Sequence, residues 1–355
     1  MVLTNIQVLR GIAAMLVIWV HAQVMMTSTL IPPSLRQAGY GGVDLFFVIS
    51  GFIIVHSTSS STDWATFAKR RFLRVAPLYY VFTLIAVVIC YVRPSVFNLT
   101  GIDAAMIVKS LAFVPFEIAK NNIYPVYPLG WTLNYEIFFY ALFTPMLLLN
   151  NVRLRVAMLC AVLLALVLAG TRIHDPAQQG MIAYFCTRPL ILDFAFGMII
   201  AIWPYFPTRT VVPSYALLIA GFAGLVWFGR ILPTETVTIF PWSGTTLRYG
   251  VPSALIVAGM VGLQSCGRTA SNPLLKQLGD ASYSLYLSHF LVVLPLEFAA
   301  SVYLHDDLAT LAAGMIAMIT ALAFGVLVYR SVERPLAGDF RFVRRARPIA
   351  SQQPS

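Results

Sequence analysis

The sequence predicts an all-α protein that crosses a membrane about ten times, because its apolar residues form runs long enough for a helix to span the hydrocarbon core. Hydrophobic residues make up 59% of the 355 residues, whereas charged residues make up only 11%. The mean hydropathy is +0.80. Soluble globular domains of this length do not have such a composition. The chain is therefore expected to be a polytopic membrane protein.

The predicted spans follow one another from the N-terminus with mostly polar connections. We place them at residues 6–26, 41–60, 77–93, 129–149, 154–171, 183–203, 213–229, 248–266, 281–302 and 309–329. A weaker apolar stretch at 104–119 contains Lys109 and Glu117, so we expect an outer-surface or re-entrant helix there. Residues 1–340 are predicted to form a single transmembrane domain, and residues 341–355 a basic, disordered cytoplasmic tail.

The distribution of basic residues predicts the orientation of the chain. If the N-terminus lies inside, the inner loops and the tail hold about twice as many Lys and Arg residues as the outer loops, as cytoplasmic loops normally do. Both termini are therefore placed in the cytoplasm. The net charge of +10 follows from this topology, so no nucleic-acid partner is expected.

The densest basic cluster immediately precedes the third span and comprises Lys69, Arg70, Arg71 and Arg74. Arg71 and Arg74 share one face if a helix continues through them. Paired guanidinium groups bind phosphate oxygens well, so the cluster is a candidate site for a cofactor that carries phosphates. The alternative is that these charges only set the topology or contact anionic lipids.

The first span contains two strongly polar residues, Arg10 near its start and His21 near its end. On a helix they lie on one face, about 16 Å apart along the axis. Polar residues are costly inside a bilayer and are a functional hypothesis by default. The pair therefore indicates a groove that leads from a cation to a titratable imidazole. The alternative is that Arg10 extends to the headgroups and His21 only packs against other helices.

Further polar residues are expected at the depth of His21. Asp44 lies near the start of the second span, and Trp131, Asn134 and Glu136 lie near the start of the fourth. A carboxylate beside His21 would orient the imidazole and raise its basicity, as a general base requires. The alternative for Asp44 is a charge at a helix N-terminus that the helix dipole favours.

The ninth span contains Tyr283, Tyr286 and His289, which follow one another at about one-turn intervals on one helix face. This face, together with Trp131 and Asn134 of the fourth span, is predicted to form the wall of a substrate channel. The alternative is a hydrogen-bonding face between two helices. We find no metal-ligand spacing and expect no metal site.

The order and spacing of these motifs resemble the acyltransferase-3 family. The motifs are Arg10-x10-His21, the stretch 42–52, Arg71-x-x-Arg74, the stretch 130–140, the stretch 282–289 and Val332-Glu333-Arg334-Pro335. They are spread over nearly the whole chain and are most similar to those of the O-acetyltransferases for exopolysaccharide production.

The resemblance implies a multi-pass enzyme of the bacterial inner (plasma) membrane. Such an enzyme moves an acetyl group from acetyl-coenzyme A to a hydroxyl of a cell-surface or exported polysaccharide, or of its lipid-linked precursor. By the family pattern Arg10 and His21 are the essential pair, Arg71 and Arg74 lie at the coenzyme A end, and Glu136 is the acid of a Trp-x4-Glu motif. The expected partners are the acyl-coenzyme A, the carbohydrate acceptor, the lipid bilayer and proteins of polysaccharide biosynthesis.

Two points stay open from the sequence. His21 could take the proton of the acceptor hydroxyl as a general base, or it could carry the acyl group itself. Polar residues inside the membrane also mark the pathways of carriers, so a transporter or flippase of lipid-linked sugars is the alternative function. From the predicted depth of His21, we expect the acceptor to approach from the outer side.

Overall fold

The computed structural model describes residues 3–22, 29–58, 62–97, 101–118, 123–172, 180–203, 211–231, 246–304 and 306–339. Every regular element within these ranges is helical, which confirms the predicted all-α class. The helices are α1 Thr4–His21, α2 Pro33–Ala38, α3 Gly41–His56, α4 Trp64–Val92, α5 Ala104–Leu111, α6 Trp131–Met146, α7 Val152–Gly170, α8 Met181–Cys186, α9 Leu192–Ile202, α10 Val211–Ile231, α11 Val251–Ser265, α12 Pro273–Asp280, α13 Ser282–Tyr303, α14 Asp307–Val328 and α15 Arg334–Asp339. The predicted tail at 341–355 lies outside the described residues.

Seven helical segments in the described ranges are long and apolar enough to cross a membrane. They are Thr4–His21, Pro33–His56, Trp64–Val92, Val152–Gly170, Val211–Phe228, Ser282–Tyr303 and Asp307–Leu336. The other three predicted spans also contain helices, but these are shorter. α6 has 16 residues, the 3-10 turn Pro189–Ile191 separates α8 from α9, and a π turn at Thr246–Gly250 precedes α11.

Two helices differ in extent from the predicted apolar segments. The helix that contains the third span begins well before residue 77, because α4 starts at Trp64, where the Asp63 side chain accepts a hydrogen bond of 2.8 Å from the backbone N–H of Thr66. This bond lowers the pKa of Asp63. The basic cluster therefore lies on the first turns of a continuous 29-residue helix. Of the stretch at 104–119, the structure describes residues up to 118, and the helix there is α5, which ends at Leu111 and is followed by Phe113 with a φ of 58°.

Glycines allow the helices around α1 and α3 to approach very closely. A Cβ atom built on Gly197 would lie 1.9 Å from the carbonyl oxygen of Val48, so the backbones of α3 and α9 touch there. A Cβ atom on Gly279 would lie 1.9 Å from the carbonyl oxygen of Gln7, where α12 meets α1. Small residues serve this purpose in membrane helix pairs. As a result α1 is enclosed by α3, α11, α12 and α13, and its polar residues face protein.

Candidate active site

A cavity of about 70 Å³ lies between α1, α3, α4, α6 and α13. Its charged lining comes from three distant parts of the sequence and comprises Arg10, Arg71, Arg74 and Glu136. We call it the arginine cavity. Arg74 is exposed, so the cavity reaches the protein surface there. Apolar side chains of α3, including Phe46 and Phe47, form much of the remaining wall.

The arginine cavity has an excess of positive charge. Arg10 interacts electrostatically with Arg74, Glu136 and Glu333, and Glu333 with Arg74. Arg71 adds a third guanidinium group. The three arginines and the two carboxylates, Glu136 and Glu333, together have a net formal charge of +1. Such a site suits an anionic ligand with oxygen acceptors.

Arg71 is held in place by the protein. Its Nη2 atom donates a hydrogen bond of 2.6 Å to the hydroxyl oxygen of Ser57. Its guanidinium carbon lies 5.3 Å from the ring centre of Phe67 and 5.8 Å from that of Tyr140. The hydroxyl of Tyr140 in turn donates a hydrogen bond to Glu136. Arg71 is therefore ordered before any ligand arrives.

Lys69 and Arg70 are exposed and lie outside the lining of the arginine cavity. The four basic residues that the sequence groups together thus divide into two pairs. Arg71 and Arg74 face the cavity, and Lys69 and Arg70 extend the basic surface beside it. The helix that carries them explains the division, because consecutive residues on a helix point about 100° apart.

His21 contacts a second histidine. Its Nδ1 atom lies 2.8 Å from the carbonyl oxygen of Val17 and 3.2 Å from Nε2 of His289. The Nδ1 atom of His289 lies 3.2 Å from the carbonyl oxygen of Leu285. A carbonyl oxygen only accepts hydrogen bonds, so each Nδ1 atom carries a proton, and the single Nδ1 proton of His21 is shared between the Val17 carbonyl oxygen and Nε2 of His289. The Nε2 atom of neutral His21 is therefore left unprotonated, which is the form of a base.

The prediction that a carboxylate lies beside His21 is wrong, because its neighbours in the described structure are His289 and the ring of Phe290, 4.7 Å away between ring centres. Asp44 instead lies against Asp193 of α9. The described residues provide no donor to Asp44 Oδ1 or to either carboxyl oxygen of Asp193. The two carboxyl groups can therefore bond to each other only by sharing a proton.

The predicted channel residues of α13 follow one another along the helix, from the arginine cavity to His21. The hydroxyl of Tyr283 donates a hydrogen bond of 2.5 Å to the carbonyl oxygen of Val75. Both Tyr283 and Tyr286 line the arginine cavity. The ring centre of Tyr286 lies 6.2 Å from that of His289. Tyr286 therefore separates the arginine cavity from the histidine pair.

The remaining two predicted site residues lie on α6. Asn134 is buried, and its Oδ1 atom has no hydrogen-bond donor among the described residues. Trp131 packs edge-on against Tyr135, with 6.1 Å between ring centres. Neither residue lines the arginine cavity.

Glu333 is a site residue that the sequence reasoning did not assign. It accepts hydrogen bonds from the backbone N–H and the hydroxyl of Ser284, at 3.2 and 2.5 Å. It lies on the π turn Tyr329–Glu333 that ends α14. The motif Val332-Glu333-Arg334-Pro335 contains this residue, but the sequence does not show which groups the Glu333 carboxylate interacts with. In the fold these groups are Arg10 and Arg74.

Comparison with known proteins agrees with this architecture. The family model described as an acyltransferase domain, acyltransferase-3, matches residues 3–330. The chain is 32% identical over 302 residues to the exopolysaccharide production protein ExoZ of Rhizobium meliloti, covering 84% of this chain and 89% of that protein. It is 26% identical over 345 residues to the acyltransferase MdmB of Streptomyces mycarofaciens, covering 87% and 83%.

A further relative is longer than this chain. The chain is 26% identical over 325 residues to the O-acetyltransferase OatA of Staphylococcus aureus, covering 84% of this chain but only 53% of that protein. No solved structure matches the chain significantly. Because the family model covers nearly the whole chain and ExoZ is matched over most of its length, this multi-pass membrane protein belongs to the acyltransferase-3 family and is an acyltransferase.

Proposed function

We propose that the protein is an O-acetyltransferase of the bacterial inner membrane. It transfers the acetyl group of acetyl-coenzyme A to a hydroxyl of an exported or cell-surface polysaccharide, or of its lipid-linked precursor. The observation that carries the proposal is the arginine cavity, where Arg10, Arg71 and Arg74 meet Glu136. The names of ExoZ and OatA support the acceptor class and the acetyl group, respectively.

The donor-binding role rests on the charges of the arginine cavity. Coenzyme A carries several phosphates, and guanidinium groups bind phosphate oxygens in bidentate geometry. Arg71 and Arg74 would bind these phosphates where the cavity reaches the surface. The exposed Lys69 and Arg70 would attract the donor to this mouth over a longer range.

Glu136 acts in this proposal through the arginines. Its carboxylate accepts from the hydroxyl of Tyr140 and interacts electrostatically with Arg10 and Arg71. It would keep the guanidinium groups oriented towards the cavity and limit the repulsion between them. Asp44 has a different place, on the side of α3 that faces α9, and would fix the wall of the cavity from behind if it shares a proton with Asp193.

The reaction would take place at His21. Its unprotonated Nε2 atom would accept the proton of the acceptor hydroxyl while the hydroxyl oxygen bonds to the acetyl carbonyl carbon. The carbon–sulfur bond of the thioester then breaks, and the same proton passes from His21 to the departing thiolate. In the second route, His21 Nε2 attacks the carbonyl carbon first, and the carbon–sulfur bond breaks to release the thiolate of coenzyme A. The hydroxyl oxygen then bonds to the acetyl carbon as the bond to His21 Nε2 breaks, and the hydroxyl proton passes to the thiolate.

The path from the arginine cavity to His21 would pass Tyr286. Arg10 and His21 are about 16 Å apart along α1, and the thin arm of coenzyme A could bridge this length. Tyr286 has contacts with both regions, since it lines the cavity and packs near His289. The acceptor would then approach His21 from the opposite end of α1, where Asn134 and Trp131 are candidate contacts.

The test is His21→Ala in purified protein reconstituted in nanodiscs. Transfer of labelled acetyl from acetyl-coenzyme A should fall by about 10²–10⁴-fold, the usual effect of losing a general base. The matched control is His56→Ala, which removes an exposed histidine that stacks on Phe52 at the end of α3. Near-normal transfer by folded His21→Ala would remove His21 from the mechanism.

A further inference from the structure

We propose that His289 is a positioning residue for His21, and that it occupies the place that a carboxylate takes in a catalytic triad. The inference rests on the proposed function, because it assigns a partner to the proposed base. In a triad the second residue accepts the Nδ1 proton of the catalytic histidine, fixes its tautomer and stabilises the imidazolium. Here a neutral imidazole would do the same.

With both rings neutral, the hydrogen bonds around the pair allow one arrangement of protons. The carbonyl oxygens of Val17 and Leu285 each require a proton on the neighbouring Nδ1 atom. Nε2 of His289 then has a lone pair and faces Nδ1 of His21 at 3.2 Å. The reversed arrangement, with the proton on His289 Nε2, would leave His289 Nδ1 and the Leu285 carbonyl oxygen facing each other as two acceptors.

The surroundings explain why a neutral partner suits this position. His289 is fully buried, with 0% of its surface exposed. Among the described residues, no carboxylate or cation acts electrostatically on His21, and the group that acts on His289 is His21 itself. The hydroxyl of Tyr286 faces away, towards Thr132 and Leu129. A permanent carboxylate in this apolar layer would be costly, whereas an imidazole accepts the same proton without a charge.

The packing keeps the two rings in place. The ring of Phe290 lies 4.7 Å from that of His21 and 5.1 Å from that of His289, edge-on to both. The two imidazole rings are 4.9 Å apart and tilted by 48°. His21 is thus held by Val17 from its own helix and by His289 from α13, which leaves only its Nε2 atom for the reaction.

The experiment compares His289→Leu with His289→Gln in the reconstituted protein. Leucine removes the acceptor, so kcat should fall by about 10–100-fold, the range found when the hydrogen-bond partner of a metal-ligating histidine is lost. The KM for acetyl-coenzyme A should stay unchanged, since the arginine cavity is intact. Glutamine has an amide oxygen that can accept the proton and should restore part of kcat.

Ser288→Ala is the matched control. Ser288 is the neighbouring residue, is fully buried, and has no partner for its hydroxyl among the described residues. Its removal should leave kcat within about twofold, because a buried hydroxyl without a partner contributes little. A loss of kcat in Ser288→Ala equal to that in His289→Leu would mean that any change at this level acts through packing, and it would overturn the inference.

A second measurement does not depend on activity. ¹⁵N spectra of histidine-labelled protein report the tautomer, and the signals of His21 are identified by their loss in His21→Ala. We expect His21 to carry its proton on Nδ1. A proton on Nε2 of His21 would refute the arrangement, even if His289→Leu fails to fold. If His21→Ala is inactive but His289→Leu has normal kcat, the positioning role fails and the proposed function stands.

Discussion

Arg71→Ala should weaken donor binding without slowing the chemical step. A hydrogen bond to a charged group contributes about 1.5–3 kcal/mol, which corresponds to about a 10–150-fold increase in the KM for acetyl-coenzyme A. The upper part of this range applies, because Ser57 and the rings of Phe67 and Tyr140 already order the guanidinium group. At saturating donor, kcat should stay within about threefold, because no bond at the reacting carbonyl changes.

The matched control for this prediction is Arg70→Ala. Arg70 has the same charge, precedes Arg71 on α4, and is exposed outside the arginine cavity. Its removal should change the KM by less than about threefold, since an exposed charge acts only through a screened field. Initial rates at varied acetyl-coenzyme A, with insertion checked by protease accessibility, measure both variants. Equal KM values for Arg71→Ala and the unaltered protein, or equal increases in both variants, would refute the assignment.

Two further predictions concern the framework of the site and its charge. Gly197→Ala should lower the thermal stability in detergent, although alanine favours a helix by about 1 kcal/mol, because its Cβ atom would lie 1.9 Å from the carbonyl oxygen of Val48. Gly224→Ala is the control, since its new atom would meet only a proline side chain at 3.0 Å, and an equal or higher midpoint for Gly197→Ala would contradict the close approach. Glu333→Gln should lower the KM for acetyl-coenzyme A several-fold, because Arg74 loses a competing carboxylate. An increased KM would show that the carboxylate instead holds Arg74 in its binding position.

Hydropathy predicts which segments are helical here, but it does not predict where the helices begin and end. α4 starts at Trp64 because Asp63 caps it, and its first turns are too polar to raise the local hydropathy. The span predicted at 183–203 is apolar on average, yet a turn that begins at Pro189 interrupts it. Hydropathy measures how favourably a segment partitions into lipid, whereas N-caps and prolines start or end a helix through the backbone. The ends of an apolar segment and the ends of a helix can therefore differ.

The sequence predicts well which site residues lie on the same helix, but it predicts poorly which residues of different helices are in contact. The spacing of Arg10 and His21 places them correctly on one helix, but equal depth in the membrane does not imply contact. Asp44 is expected at the depth of His21, but the close approach of α3 and α9 at Gly197 directs it to Asp193. The direction in which a helix faces its neighbours depends on packing, which a single sequence does not reveal.

The relation between α1 and α13 connects the site to the topology. Arg10 and Tyr283 both line the arginine cavity, and His21 contacts His289 further along each helix. The two helices therefore run in the same direction. If both cross the membrane, an odd number of crossings must separate them, and the seven spans predicted between residues 41 and 266 satisfy this condition. If those seven all cross, one more crossing at 104–119 would make α1 and α13 antiparallel and would move His289 away from His21. Together with the predicted count of spans, the contact between the two histidines therefore favours a position for α5 that does not cross the membrane.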